Sequence, residues 1–271
     1  MMSRYKEAKR AFVDIVRVEE YIDIDSSRNA YDRLEASIDK DIKMALLYGR
    51  PGTGKTMLLS RLYNKYKHQR DIYLIDTPTG TRAQFYAKLF FIITGKHLPS
   101  NAKIDFETFI AYGKDIKGRK KLTILLDEAQ IYPTDMLEEI RILSDTGSMK
   151  FIISLHKTDN EDIIAKEHFQ TRIWESIELK NTGKRDLKLY IYKRLLNAGL
   201  AELADQIKNR HIKFIHKVTD GNFRETNKLM YTTYEIYEYY SRYNPEKINV
   251  GKLSMKFLEM SALKLGLLDD E

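Results

Sequence analysis

Residues Gly49 to Thr56 read Gly-Arg-Pro-Gly-Thr-Gly-Lys-Thr, a full match to G-x-x-x-x-G-K-[ST]. A match of this kind constrains both backbone and ligand class. An apolar stretch, Met44 to Tyr48, runs into it, and a helical stretch, Met57 to Lys67, runs out. Strand, glycine-rich loop and helix in that order are the context a phosphate-binding loop needs. Gly49, Gly52 and Gly54 let main-chain N–H groups turn inward onto phosphate oxygens without a side chain in the way. The helix that follows adds the positive end of its dipole. The candidate nucleotide contacts are therefore Gly49, Arg50, Pro51, Gly52, Thr53, Gly54, Lys55, Thr56 and Met57. Lys55 offers a cation to the β- and γ-phosphates, and the Thr56 hydroxyl is placed to ligate magnesium. A chance match in a chain of 271 residues has odds on the order of 1 in 100, so the functional reading is adopted.

That length suits one medium domain and a smaller one. The net charge of +7 is a mild basic bias, which fits a lysine-rich surface and permits nucleic acid or acidic lipid without requiring either. The chain has no cysteine, which excludes disulfides, thiolate catalysis and thiolate metal sites. Met1 to Glu20 is charged throughout, and no apolar run approaches membrane-spanning length. A cytoplasmic location is expected.

Short apolar runs at Ile72–Ile75, Leu122–Leu126, Phe151–Leu155 and Ile173–Leu179 have the pattern of buried parallel strands. Amphipathic stretches at Gln84–Thr94, Phe106–Lys114 and Met136–Leu143 lie between them, and a helix over Arg28–Lys40 leads into the first strand. Alternating strands and helices imply a three-layer α/β fold with right-handed crossovers. After Lys180 the strand signal stops. Arg185–Leu196, Leu200–His216, Phe223–Tyr240 and Val250–Leu265 have helical patterns, with Thr182 the expected N-cap of the first and Gly199 its end. The expected organisation is an N-terminal arm over residues 1–27, an α/β nucleotide-binding domain over 28–180 and a helical domain over 181–271.

Leu122-Thr-Ile-Leu-Leu-Asp127-Glu128-Ala-Gln130 is a buried strand ending in two carboxylates. Asp127 can hold magnesium, directly or through water, and Glu128 can orient and deprotonate an attacking water. Neighbouring strand residues face opposite sides, so the two carboxylates should diverge and do separate jobs. A guanine-reading Asn-Lys-x-Asp is absent: Asn64-Lys65 and Asn227-Lys228 both lack the Asp.

Taken together, Gly49–Thr56, Ile124–Gln130, Met136–Ser144, Arg172-Ile173 and Gly221-Asn-Phe-Arg224 resemble an AAA+ ATPase, more narrowly the ExeA/GspA-type ATPases of bacterial secretion and pilus systems, which are related to TniB-type transposition ATPases. The resemblance runs from about Arg28 into the C-terminal helices. It implies a P-loop NTPase AAA+ module with a five-stranded parallel sheet in the order 5-1-4-3-2 and an α-helical lid. It also implies Mg2+-dependent hydrolysis of ATP to ADP and phosphate, and a homo-oligomer in the ATP state. Arg224 resembles a sensor arginine that reaches the γ-phosphate. Arg172 resembles one that acts in trans on a neighbouring subunit's ATP, with Arg141 as the alternative. The first-sensor position, at the end of the fourth strand, falls on Ser154, His156 or Lys157.

The implied roles are an ATPase for an envelope machine (type II secretion, a type IV pilus or DNA uptake), recruited to the inner membrane by a partner, or a DNA-bound transposition helper. A non-hydrolysing ATP switch is the third. The chain departs from the family in lacking its Gly-Gln at the fourth strand and its N-terminal aromatic signature. Peptidoglycan binding is not implied, because the part that carries it in longer members is missing from this sequence.

Three further features read as structural. Tyr231, Tyr234, Tyr237, Tyr239, Tyr240 and Tyr243 recur at helical spacing and are assigned to core and boundary. The basic run Lys114, Lys117, Arg119, Lys120, Lys121 is assigned to a solvated loop at the edge opposite the nucleotide. Trp174 is assigned to core or edge packing.

Overall fold

The runs that read as buried strands pair into one parallel sheet. A computed structural model describes residues 4–99, 103–156 and 171–268. The strands are β1 (Met44–Gly49), β2 (Ile72–Ile75), β3 (Leu122–Leu126), β4 (Met149–His156) and β5 (Ile173–Glu178). Their spatial order is β2-β3-β4-β1-β5, the order the resemblance implied. Every pairing is parallel, so all C-terminal strand ends share one edge.

The helices of this part are α2 (Asp25–Asp39), α3 (Lys55–Tyr66), α4 (Arg82–Thr94), α5 (Phe106–Ile116) and α6 (Thr134–Asp145), after a first helix, α1 (Arg4–Ala11). Met44, Leu46, Ile124, Leu126, Phe151 and Ile153 share a core with Phe85, Leu89, Phe109, Leu137 and Ile140. The alternate positions Ala45, Leu47, Leu125 and Ile152 are buried too. With both faces of the pleat covered, the strands can be apolar at every position instead of alternating.

The remaining helices are α7 (Lys184–Asn197), α8 (Ala201–Asp205), α9 (Asn209–Thr219), α10 (Phe223–Tyr243) and α11 (Met255–Lys264). Contacts divide the chain into two units, Asn29–Leu179 and Met1–Arg28 with Lys180–Glu271. Residues 4–11, assigned from sequence to an arm, form α1 within the helical unit. There Tyr5 stacks on Tyr237 at 4.9 Å, Phe12 on Tyr234 at 6.0 Å, and Lys9 bonds Glu238 at 2.8 Å. In the tyrosine stripe, Tyr234 and Tyr237 are core and Tyr231 and Tyr240 half-buried, while Tyr239 and Tyr243 are exposed.

Three local expectations change. Thr182 does not cap α7: Gly183 holds the N-cap without a side-chain bond, and the Thr182 hydroxyl bonds Ser26 Oγ at 3.1 Å. The helix expected over Leu200–His216 is two, because His211 Nδ1 accepts the Lys208 N–H at 3.0 Å and starts a new helix there. Trp174 is not core but an exposed side chain on the edge strand β5.

Candidate functional site

The phosphate loop leaves β1 in the interior of the sheet, between β4 and β5. A Cβ on Gly49 would sit 2.2 Å from the Leu179 carbonyl oxygen, whose own N–H donates to Tyr48 O at 2.7 Å. No larger residue fits beneath that crossing chain. Gly54, the N-cap of α3, has φ of 98°, a left-handed backbone that glycine adopts without cost. The Thr53 hydroxyl donates to Arg50 O at 2.9 Å and closes the turn. Lys55 is only 4% exposed, and its Nζ donates to the carbonyls of Gly49 at 2.8 Å and Arg50 at 3.1 Å. Thr56 and Met57 lie half-buried on the first turn of α3.

The acidic end of β3 lies on the same edge of the sheet, with β4 between it and β1. Asp127 is 2% exposed, and its N–H donates to Ile75 O at 3.0 Å. Its Oδ1 accepts from the buried Ser154 hydroxyl and from the Glu128 N–H at 3.0 Å. The second oxygen, Oδ2, accepts no hydrogen bond from any described residue, although the carboxyl is buried. A carboxylate oxygen that takes no hydrogen bond from the described residues, together with the Thr56 hydroxyl oxygen, makes up hard-oxygen ligands of the kind Mg2+ takes, and the residues fit that ion.

Glu128 departs from the strand. Its φ and ψ are 53° and 39°, a left-handed backbone costing about 1–2 kcal/mol for a residue with a side chain. The two carboxylates diverge as expected, but through this turn, not through strand alternation. Glu128 Oε1 lies 2.9 Å from His156 Nε2, and Oε2 accepts from Gln130 Nε2 at 2.5 Å. Gln130 Nε2 also lies 3.2 Å from His156 Nδ1, and Gln130 Oε1 accepts the His156 N–H at 3.2 Å. With Nδ1 accepting, the proton on Nε2 faces Glu128. His156 pairs in register with Gly49, so this ring of contacts adjoins the phosphate loop.

The three first-sensor candidates thus separate. Ser154 serves Asp127, His156 serves Glu128, and Lys157 lies outside the described residues. Gln130 was quoted in the motif but given no task. Only the turn at Glu128 reveals that a side chain two residues on can close onto that carboxylate.

Neither arginine proposed to act in trans lies with these groups. Arg172 immediately precedes β5 and Arg141 lies near the C-terminal end of α6, so both belong to the opposite, N-terminal edge of the sheet. Arg141 is held by Glu138 at 2.6 Å and Asp145 at 2.9 Å, whereas Arg172 reaches Asp145 only at 3.6 Å. Burial works to raise the Asp145 pKa. The hydrogen bond and charge of Lys43, with the charges of Arg172 and Arg141, outweigh it and hold the carboxyl below its ordinary value. Arg224 sits in the helical unit, on the first turn of α10. Asn222 Oδ1 caps that turn, and the Arg224 Nε bonds Asp14 Oδ2 at 3.0 Å.

This strand order, with a phosphate loop on β1 and an acidic end on β3, defines the α/β unit as a P-loop ATPase-type fold. The family comparison is narrower: residues 38–163, a little under half the chain, match the AAA domain. Among solved structures, the Aeropyrum pernix ORC2 protein in ADPNP–ADP complexes is similar at a TM-score of 0.66 and 16% identity, over 97% of this chain and 72% of that one. Cdc6p from Pyrobaculum aerophilum gives 0.68 and 16%, over 94% and 70%. The Aeropyrum pernix ORC1 protein in complex with DNA gives 0.61 and 15%, over 95% and 69%. At these identities the likeness is one of fold. A comparison with curated proteins finds no match. Among the described residues no helix is long and apolar enough to cross a membrane.

Proposed function

We propose that the α/β unit binds ATP with magnesium and hydrolyses it to ADP and phosphate. The observation that carries this reading is the convergence on one sheet edge of a glycine-turned loop closed by Lys55, a buried Asp127 with one uncommitted oxygen, and Glu128 held by two partners. Loop N–H groups and Lys55, which would exchange its carbonyl partners for phosphate oxygens, bind and orient the triphosphate. Thr56 and Asp127 would hold the magnesium, which supplies charge neutralisation at the phosphates when bound. Glu128 accepts the proton of the attacking water, and His156 and Gln130 fix where its carboxylate points. Arg224 is assigned nucleotide sensing and Arg172 action on a neighbouring copy, both on the resemblance.

The test is Glu128→Gln. ATP affinity should hold while turnover falls about 10²–10⁴-fold, and a loss within threefold would remove Glu128 as the base.

The role proposed for this turnover is service to a bacterial envelope machine, which rests on the ExeA/GspA-type resemblance. The TniB-like alternative, an ATPase working on DNA, draws on the net charge of +7 and on a solved fold neighbour in complex with DNA. ATPase rates with and without duplex DNA across a salt series separate them. Strong stimulation that fades steeply with salt favours DNA, and a flat response favours the envelope role.

A further inference from the structure

Exposed cations of this chain commonly face a carboxylate: Arg28 meets Asp23, Arg82 meets Asp135 and Lys121 meets Asp41. One stretch departs from that habit. Residues 206–219 contain Lys208, Arg210, Lys213 and Lys217 and no Asp or Glu. All four are exposed, and none makes an ion pair with a described residue. Arg210 reaches only the ring of His211, 3.1 Å from its Nε2.

Arg210, Lys213 and Lys217 recur at intervals of three and four along α9, so they share one face of it. The opposite face is closed, with Ile212 and Ile215 buried in the core of the helical unit. Lys188, exposed on α7 and likewise without an ion pair, bonds Asn209 Oδ1 at 3.0 Å and so stands at the start of the row. In the basic loop before β3, by contrast, Arg119, Lys120 and Lys121 each have a carboxylate. Like charges on one face add their potentials where no acid cancels them.

We propose that the exposed face of α9, extended by Lys188 of α7, binds the phosphate backbone of duplex DNA. This deepens the reading of an ATPase working on DNA and rests on it, but affinity and turnover are separate readouts and either can fail alone. From Arg210 to Lys217 the row runs roughly 10 Å, enough to meet about two or three phosphates of one strand. The chemistry of the face disfavours other polyanions. A lipid surface takes up a helix by its apolar side, and the apolar side of α9 is spent in the core. Single strands are held by stacking on open aromatic rings, whereas Phe214, the aromatic residue of α9, packs against the same core. Protein interfaces are depleted in lysine. The wide major groove of B-form DNA admits a helix, and the deep, narrow one of duplex RNA does not. Contacts to the backbone carry no sequence information, so binding is expected to be indifferent to sequence.

The experiment titrates the full chain against a fluorescent mixed-sequence duplex and reads anisotropy at salt concentrations from about 50 to 200 mM. With Lys213→Ala and Lys217→Ala combined, affinity should fall at least about tenfold and the salt slope by about two, with ATP affinity and far-UV circular dichroism unchanged. Lys213→Arg with Lys217→Arg keeps both charges and should bind within about threefold of wild type. A duplex of scrambled sequence should bind as well as the first. Wild-type affinity and slope in the double alanine variant overturn the surface, as does a wild type that leaves the duplex unbound at the lowest salt. Tighter binding of single-stranded DNA, duplex RNA or phosphatidylserine vesicles than of duplex DNA overturns the partner. A duplex that binds through α9 without altering ATP turnover upholds the surface and removes the DNA-directed role. Turnover stimulated equally in the wild type and the double alanine variant keeps that role and removes α9.

Discussion

The two ends of the parallel sheet carry similar inventories of charge and use them differently. At the C-terminal end, Lys55, Asp127 and Ser154 are buried, and each has named partners within the loop or the neighbouring strand. At the N-terminal end, Lys120 meets Asp71, Lys121 meets Asp41 and Arg119 meets Asp115 on exposed side chains in water. Burial separates the two. A desolvated group has no water to fall back on, so its removal costs the partner as well, whereas an exposed pair exchanges one another for solvent.

One residue crosses the comparison and should give the largest effect on stability. Lys150 stands at the N-terminal end of β4 yet is fully buried, and its Nζ donates to the carbonyls of Ser37 and Ile38 at 2.7 Å and of Lys40 at 2.6 Å, where α2 ends. It satisfies last-turn carbonyls that have no partner within the helix. Lys150→Met should lower unfolding free energy by about 3 kcal/mol in chemical denaturation, the cost of stranding several buried acceptors. Burial, helped by the charge of Lys121, pulls the Lys150 pKa down from 10.5 to about 8. The folded chain then releases this proton near pH 8 and the unfolded chain near 10.5. Between those values the unfolded state binds more protons, so stability from this group rises with pH. The rise should be present in the wild type and missing from Lys150→Met. A variant as stable as wild type would place the N-terminal edge wholly in the exposed class.

At the other end, the next effect concerns Ser154. Ser154→Val should raise the magnesium concentration for half-maximal hydrolysis about 10–100-fold, because the hydroxyl that orients Asp127 Oδ1 is lost. Ser154→Thr, which keeps the hydroxyl, should fall within a few-fold of wild type. Equal magnesium dependence in Val and Thr variants would mean that Asp127 is oriented by its backbone alone.

A smaller change is expected from the ring around Glu128. His156→Leu and Gln130→Leu should each lower kcat about tenfold with the KM for ATP nearly constant, the lower end of what loss of an orienting partner costs. Since His156 and Gln130 also bond each other, the double variant should lose less than the product of the two single losses. A full multiplicative loss would show that the two side chains act on Glu128 separately.

The sheet was legible because buried parallel strands have a crude signature: short apolar runs, which match the observed strands to within one or two residues at Ile72–Ile75, Leu122–Leu126 and Ile173–Glu178. The phosphate loop was legible for a different reason, since Gly49 and Gly54 are positions where backbone geometry forbids most alternatives. Gln130 and Lys150 were not legible. Each acts through a tertiary contact, one across a left-handed turn at Glu128 and one from β4 to the end of α2, and neither leaves a periodic trace. Of the two readings of Trp174, the core fails and the edge holds: the side chain is exposed on β5, the last strand of the sheet, and alternates with the less exposed Ile173 and Glu175. The Thr182 cap failed because a hydroxyl with the right residue type found Ser26 Oγ in place of a helix N–H.

The smallest effect is expected at Arg119. Its guanidinium meets the Asp115 carboxylate at 2.9 Å across the end of α5, in a geometry as good as many buried pairs, but both side chains are about two-thirds exposed. Water screens the attraction, and ordering two long side chains offsets much of what is left. Arg119→Ala should change stability by no more than about 0.5 kcal/mol, and less in high salt. The same substitution discriminates between the two proposed roles. If the basic loop Lys117–Lys121 touches duplex DNA, Arg119→Ala should weaken DNA binding and reduce its salt slope by about one while leaving stability alone. If the loop is only a solvated turn, neither quantity should move. A stability loss of several kcal/mol would break the comparison itself, because an exposed pair would then be acting with the force of a buried one.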